Sequence, residues 1–263
     1  MFVKLLKYEL KDVLKMVWIF YAIGMFFALL TRLFFMVDGS TIMNIIGKIC
    51  SGITISMIFN ILINNVMRIW GRFRQSLYGD ESYLRHTLPV TKAEHYLSRF
   101  ANSVLTMAIS VAVIIALLFV AYYSKENLEI LKMFLFPMTQ AYDCNIGTIL
   151  AVAIVVVFLE VLHMTQCGFS GIILGHRMNS AKMGMSVLFG LGIYMLTQIP
   201  VFLAIVVAGL FSPEIMDIVM SNGAMTPSAV KILLIVAIAV YTAMLLVGCV
   251  VNVKLLRRGV NVE

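Results

Sequence analysis

Residues 70–100 read WGRFRQSLYGDESYLRHTLPVTKAEHYLSRF, a polar and basic stretch in a chain that is otherwise oily. Long hydrophobic runs stand on both sides of it. The stretch is therefore expected to be a loop on one face of a membrane, and the flanking runs to be spans. Its middle reads as a short helix. Asp80 can cap the first turn by accepting backbone N–H bonds that would otherwise have no partner. Pro89 stops that helix, because the residue before a proline is pushed out of the α region. Thr91-Lys92-Ala93-Glu94 has the spacing of a capping box, in which Thr91 bonds the Glu94 N–H and Glu94 reaches back. That box is expected to open the helix that enters the next span. A helix–turn–helix elbow at a membrane surface suits transmission of force from a partner. An ordinary solvated loop with capped ends carries the same local signals.

Composition agrees with a membrane setting. Of 263 residues, 62% are hydrophobic and only 13% charged, against about 25% charged in an average soluble domain. A core of this size cannot bury so much apolar surface, which points to an all-α polytopic membrane protein with a single transmembrane domain over 1–263. Cys50, Cys144, Cys167 and Cys249 are scattered, with no CxxC pair, which argues against a disulfide framework or a zinc site.

Taken in order, residues 2–15 place Lys4, Lys7, Lys11 and Lys15 on one helical face and Leu6, Leu10, Val13 and Leu14 on another. This predicts a basic amphipathic elbow helix in the interface plane. The long charged region, with no small-residue cleavage site after the apolar run, argues against a signal peptide. About 20 apolar residues cross a bilayer. Six spans are expected, over about 16–37, 42–67, 101–123, 147–174, 183–211 and 232–251. Arg32 near the far end of the first can snorkel to the interface. Residues 68–100 form the loop after the second span and 124–146 a polar segment on the opposite side. Pro200 can kink the fifth span. Ser212-Pro213 is a helix-start signal, giving a short external helix over 213–220.

Six spans put both termini on one face, and the basic residues say which. Fifteen Lys or Arg lie on the terminal side and three, Lys125, Lys132 and Lys231, on the other; Arg32 and Lys48 fall within spans. The orientation rule counts Lys and Arg rather than net charge. Both termini are therefore expected in the cytoplasm, with the chain in a bacterial cell membrane. The formal charge of +7 belongs to the anionic lipid surface, where each basic group gains about 1 kcal/mol, and not to nucleic acid.

The string Tyr78-Gly79-Asp80-Glu81-Ser82-Tyr83-Leu84-Arg85-His86-Thr87-Leu88-Pro89-Val90 resembles the cytoplasmic loop of type-2 ABC transporter permeases, in which a phrase of the form YLxHTLPVs follows the second span. The resemblance is sharpest here and extends in element order, not in motif detail, over the whole chain. It implies that this loop contains a coupling helix that docks on a separate ATP-hydrolysing subunit. It further implies two ATPase copies and a second permease, identical or homologous, with ATP and magnesium bound by the partner. On this resemblance Asp80 to Pro89 dock on the ATPase. Tyr83, Leu84 and Leu88 would be apolar anchors and Arg85 and His86 polar contacts, with Asp80, Glu81 and Pro89 in the same docking segment. The implied function is export of a peptide, antibiotic, drug or lipid-like substrate. The elbow helix at the N-terminus is also expected of the family.

Residue chemistry narrows the other possibilities. No Walker A motif occurs; Gly47-Lys48 lacks both the first glycine and the following Ser or Thr, so this chain is not expected to be an enzyme or to hold a nucleotide. Glu160 falls near the middle of span 4 with His163 one turn on. An ionised carboxylate there costs about 2.5–3.5 kcal/mol on insertion scales for Asp, so it needs a partner or water. It is either a proton, cation or substrate contact, or a structural pair with His163 or a basic residue of another span. One Glu-x-x-His pair falls short of a di-iron set. There is no HExxH, and the 19 methionines suit flexible packing better than a copper path. Asn60 and Asn64, one turn apart in span 2, either line a substrate path or make interhelical hydrogen bonds of about 1 kcal/mol. Two readings of another class stay open: an ion-coupled secondary transporter using Glu160, and a non-transporting immunity or sensor subunit. A gene for a separate ATPase beside this one would separate them from the ABC reading.

Overall fold

In the computed structural model, which describes residues 2–37, 40–83, 87, 90–220 and 226–258, the regular structure is all α-helical. Eight helices are described: α1 Phe2–Phe35, α2 Thr41–Tyr78, α3 Lys92–Tyr122, α4 Lys125–Tyr142, α5 Ile146–Gly175, α6 Lys182–Phe211, α7 Pro213–Val219 and α8 Pro227–Arg257. Six of them, α1, α2, α3, α5, α6 and α8, are long and apolar enough to cross a bilayer. The chain is a multi-pass membrane protein. Large apolar side chains such as Phe59, Met195 and Leu210 stand exposed on these helices, as expected where the surrounding solvent is hydrocarbon.

The chain divides into two compact units. The first comprises Met1–Gln75 with Leu88–Ile130 and the second Ser76–Thr87 with Leu131–Glu263. In the first, α1 packs along α3. Val13, Val17, Tyr21 and Ala28 of α1, Ile61 of α2, and Leu117 and Ala121 of α3 form its buried cluster. Polar side chains tie these helices together inside it. Asn65 donates through Nδ2 to Ser110 Oγ at 2.6 Å and to the Thr106 carbonyl at 3.3 Å. The Tyr21 hydroxyl lies 2.7 Å from the same Ser110 oxygen. Thr31 and Thr54 pair at 3.2 Å.

The N-terminal segment differs from the expected separate elbow. Residues 2–35 form one unbroken helix. The four lysines do lie on an exposed face. The opposite face is held by the bundle: Val13 and Val17 are buried, and the buried Glu9 carboxylate lies 3.5 Å from Arg99 of α3. Asp12 pairs with Arg72 of α2. A charge buried at Glu9 persists only with such a partner, and the pair fixes the first turns of α1 against α3.

Residues 68–100 are less of a loop than expected. α2 continues to Tyr78 because the apolar period continues: Ile69, Phe73, Leu77 and Tyr78 are all buried. α3 begins at Lys92 behind the expected capping box, with the Thr91 hydroxyl accepting from the Glu94 N–H at 3.2 Å and Glu94 Oε2 accepting from the Thr91 N–H at 2.9 Å. The connecting segment therefore shortens to residues 79–91. The segment 124–146 likewise contains a helix, α4, with Pro137 inside it.

In the second unit α5 is central and packs on both α6 and α8, with α7 folded against α6. The α5–α6 approach is close enough that a Cβ on Gly171 would stand 2.5 Å from the Ser186 carbonyl oxygen and the Gly190 nitrogen, and one on Gly175 2.4 Å from the Ser186 nitrogen. Gly171-x-x-x-Gly175 thus faces Ser186-x-x-x-Gly190, two small-residue pairs that let the backbones meet. The turn between them runs through Ala181 at φ 50°, left-handed and uncommon for a residue with a Cβ. α6 passes through Pro200 as one helix. α7 starts at Pro213 as expected, although Ser212 at its N-cap makes no side-chain cap bond.

Candidate functional site

Polar residues recur along one side of α5 at Glu160, His163, Gln166 and Ser170. Spacings of three and four residues keep them on one face, and that face meets α6 and α8. Glu160, midway along α5, is half-buried. Among the described residues it forms no ion pair.

His163 is buried, with Nε2 2.9 Å from Thr197 Oγ1 of α6. The Thr197 hydroxyl already donates to the Tyr194 carbonyl at 2.7 Å, so it has only lone pairs left to offer. Nε2 must therefore carry the hydrogen and donate to it, which leaves Nδ1 as the lone-pair nitrogen of the neutral ring. That Nδ1 is buried and has no hydrogen-bond partner among the described residues. The ring is flanked by Tyr241 at 5.8 Å and Tyr194 at 6.4 Å between centroids. Cys167 Sγ lies 3.5 Å from Nε2. Glu160 and His163 thus share a face but do not pair; His163 is satisfied by α6 instead.

Below this cluster the stripe becomes a set of interhelical bonds. Gln166 Nε2 donates to the Leu245 carbonyl at 3.0 Å, and room for this side chain exists only because residue 248 is glycine, whose Cβ would stand 2.6 Å from Gln166. Ser170 Oγ donates to Asn252 Oδ1 at 2.8 Å. At the same end Arg177 donates to the Leu255 carbonyl. His176, expected in a basic turn, is fully buried and stacks on Tyr78 at 4.2 Å.

Beside the cluster, α6 and α8 enclose a groove of about 330 Å³ lined by Val201, Ile205, Leu234, Ala237, Val240 and Tyr241, among other apolar residues. Tyr241 thus belongs to the groove wall and also flanks His163. Among the described residues no group of three or more His, Cys, Asp or Glu is placed to hold a metal ion. Comparison with protein families, with characterised proteins and with solved structures finds no match to this chain.

The remaining sequence candidates fall elsewhere. Asn64 bonds its neighbour Asn60 within α2, donating to its carbonyl at 3.0 Å. The interhelical bonds expected of that pair are made by Asn65, one position on. Of the expected docking residues, Asp80, Glu81 and Tyr83 are described and all three are outward-facing, Tyr83 at 64% exposure. Leu84, Arg85, His86, Leu88 and Pro89 lie outside the described residues. Gln166, Ser170, Thr197 and Asn252 were not singled out from the sequence, although the three-and-four spacing of polar residues in the apolar helix α5 is a readable signal for the first two.

Proposed function

We propose that this chain is the transmembrane permease subunit of an ATP-binding cassette exporter, driven by a separate ATPase. The observation that carries the reading is the phrase YGDESYLRHTLPV between the second and third spans, on the face that holds fifteen of the twenty basic residues. That face is cytoplasmic by the positive-inside rule. Two permeases, identical or homologous, would work with two ATPase copies, which supply ATP and magnesium. Closure of the ATPase pair pushes on residues 80–89, and rigid-body movement of the helices follows. Tyr83, solvent-facing and apolar, suits an anchor. Residues 76–87 belong to the same compact unit as the Glu160 cluster, so a push on the elbow has a packed route to it through the Tyr78–His176 stack. Peptides, lipidic antibiotics and drugs are the substrate classes in view.

The test is a pull-down in mild detergent with mass spectrometry of what stays bound. A stoichiometric ATPase, lost when Tyr83 and Leu84 are both changed to Ala while membrane insertion persists, is the expected result. A chain that comes out alone, or a complex that survives the double change, overturns the reading. One observation favours a second reading, an ion-coupled transporter: Glu160 lies midway along a span without an ion-pair partner among the described residues. That reading requires flux driven by an ion gradient in vesicles holding this chain and no ATPase.

A further inference from the structure

We propose that α4 is a lipid-binding helix that lies along the membrane surface after the third span, with its apolar side among the acyl chains. The helix has 18 residues, short of the roughly 20 apolar ones that cross a bilayer. It carries Lys125, Glu126, Glu129 and Lys132, and it is not one of the six spans. Nor is it a helix made to face water all round. Ile130, Phe134 and Met138 follow at steps of four residues with Leu131 beside them, so they form one stripe. Lys125, Glu129 and Lys132 fall on the opposite side of the same helix. Ile130 and Phe134 stand exposed, Phe134 at 78%.

The start of α4 shows what covers this stripe. Only Tyr123 and Ser124 separate it from the span α3, and the turn is fixed by its own bonds. Asn127 Nδ2 donates to the carbonyl of Tyr122, the last residue of α3, at 2.8 Å. That carbonyl is one of the four that a helix end leaves without an internal partner. Ser124 Oγ accepts from the Asn127 N–H at 3.0 Å, the bond of an N-cap. α4 is thus tied to the end of a span. Phe119 and Tyr123 mark the level: they stack at 4.5 Å and both are exposed, and aromatic side chains gather at the membrane–water interface. The exposed Ile115, Leu118 and Phe119 of α3 face hydrocarbon in a multi-pass protein, and the stripe on α4 takes up that lipid-facing surface at its edge. The charges of α4 balance, two basic against two acidic. Attraction to anionic lipid therefore does not hold the helix; burial of the apolar side does, about 5–10 Å into the headgroup–acyl boundary. This placement is independent of what drives transport.

The experiment reads depth by tryptophan fluorescence of the full chain, one copy per lipid nanodisc, with Trp18 and Trp70 changed to Phe. Single tryptophans are introduced as Phe134→Trp, Ile130→Trp and Glu129→Trp. The probes are phosphatidylcholine brominated near the glycerol end of the acyl chains, the same lipid brominated near the methyl end, and aqueous iodide. Phe134→Trp and Ile130→Trp should be quenched by the shallow bromine more than by the deep one. Iodide should quench them about threefold less than it quenches Glu129→Trp, as the burial depth of an interfacial helix requires. Glu129→Trp should be open to iodide and little affected by bromine. Equal iodide quenching at 129, 130 and 134 overturns the proposal, because the stripe then faces water. Stronger quenching by the deep bromine overturns it, because the helix then enters the hydrocarbon core. Shielding of 130 and 134 from iodide without quenching by either brominated lipid also overturns it, because protein rather than lipid then covers the stripe.

Discussion

Asn65 shows how one residue can matter more than neighbours of the same type. It is fully buried, and its amide ties α2 to α3 through Ser110 and Thr106. Asn64 bonds only within its own helix among the described residues. Interhelical hydrogen bonds in membranes are worth about 0.6–2 kcal/mol, less than the apolar setting suggests, because the unfolded helices also find partners. Asn65→Ala should therefore lower stability by about 1 kcal/mol in a detergent unfolding titration, and Asn64→Ala by nothing measurable. Sequence reasoning reached Asn60 and Asn64 through their one-turn spacing. It passed over Asn65 because spacing within a helix does not tell which face a neighbour covers. Glu160 and His163 were legible for the opposite reason: a charged or titratable side chain deep in an apolar run is conspicuous whatever covers it. Their actual neighbours, Thr197, Tyr194 and Tyr241, come from helices whose rotation no local pattern reports.

At the scale of the element, the helices were legible and some of their ends were not. Hydropathy finds a span, but helices continue beyond the hydrocarbon when their buried face continues, as α2 does through Phe73 and Tyr78. The α5–α6 contact was also written in the chain, in Gly171-x-x-x-Gly175 and Ser186-x-x-x-Gly190, yet such a pattern identifies a partner only once the helices are seen together. Gly171→Ala would push a Cβ against backbone atoms at 2.5 Å. Overpacking of this kind costs about 1–3 kcal/mol, and the variant should unfold at lower denaturant. Gly184→Ala, in the same hairpin with nothing within 4 Å, should be neutral or stabilising, since alanine is the better helix former.

α7 supplies a pH dependence. The hydroxyls of Ser228 and Thr226, at the start of α8, both donate to Glu214, which tethers α7 there. Ser228 first, then Thr226, holds the Glu214 carboxyl below its ordinary value of 4.5. A carboxyl lowered on folding adds stability that is present above its unfolded pKa and disappears as the pH falls through the folded value. Hydrogen exchange in α7 should therefore be slow at neutral pH, after correction for the intrinsic rate, and become less protected below about pH 4. Glu214→Gln should show the less protected pattern at neutral pH.

For the whole molecule, the distribution of Lys and Arg makes the firmest claim. The turn carrying Met178 and the helix carrying Met133 are expected on opposite faces of the membrane, and both side chains are exposed. In a chain whose four cysteines are replaced by alanine, Met178→Cys should react with an impermeant thiol reagent only from the cytoplasmic side and Met133→Cys only from outside. The reverse labelling would invert the orientation and remove the elbow from reach of a cytoplasmic ATPase. This expectation asks least of the structure, because it is argued from basic residues near the ends of the spans and needs no knowledge of how the helices pack.

The intimate contact of α5 with α6 also bears on how the protein is made. The two helices are separated by only the short turn 176–181, so closing that loop costs little chain entropy. Their fit depends on glycines and a serine that need no other helix to complete them. The hairpin can thus assemble in the bilayer as soon as α6 has left the ribosome, while α8 is still being synthesised. The Gln166 and Ser170 side chains then wait on one side of a finished pair, and the arrival of Gly248 and Asn252 closes the polar seam and creates the groove wall. The arrival of α8 is thus the step that joins its polar side chains to a hairpin already made.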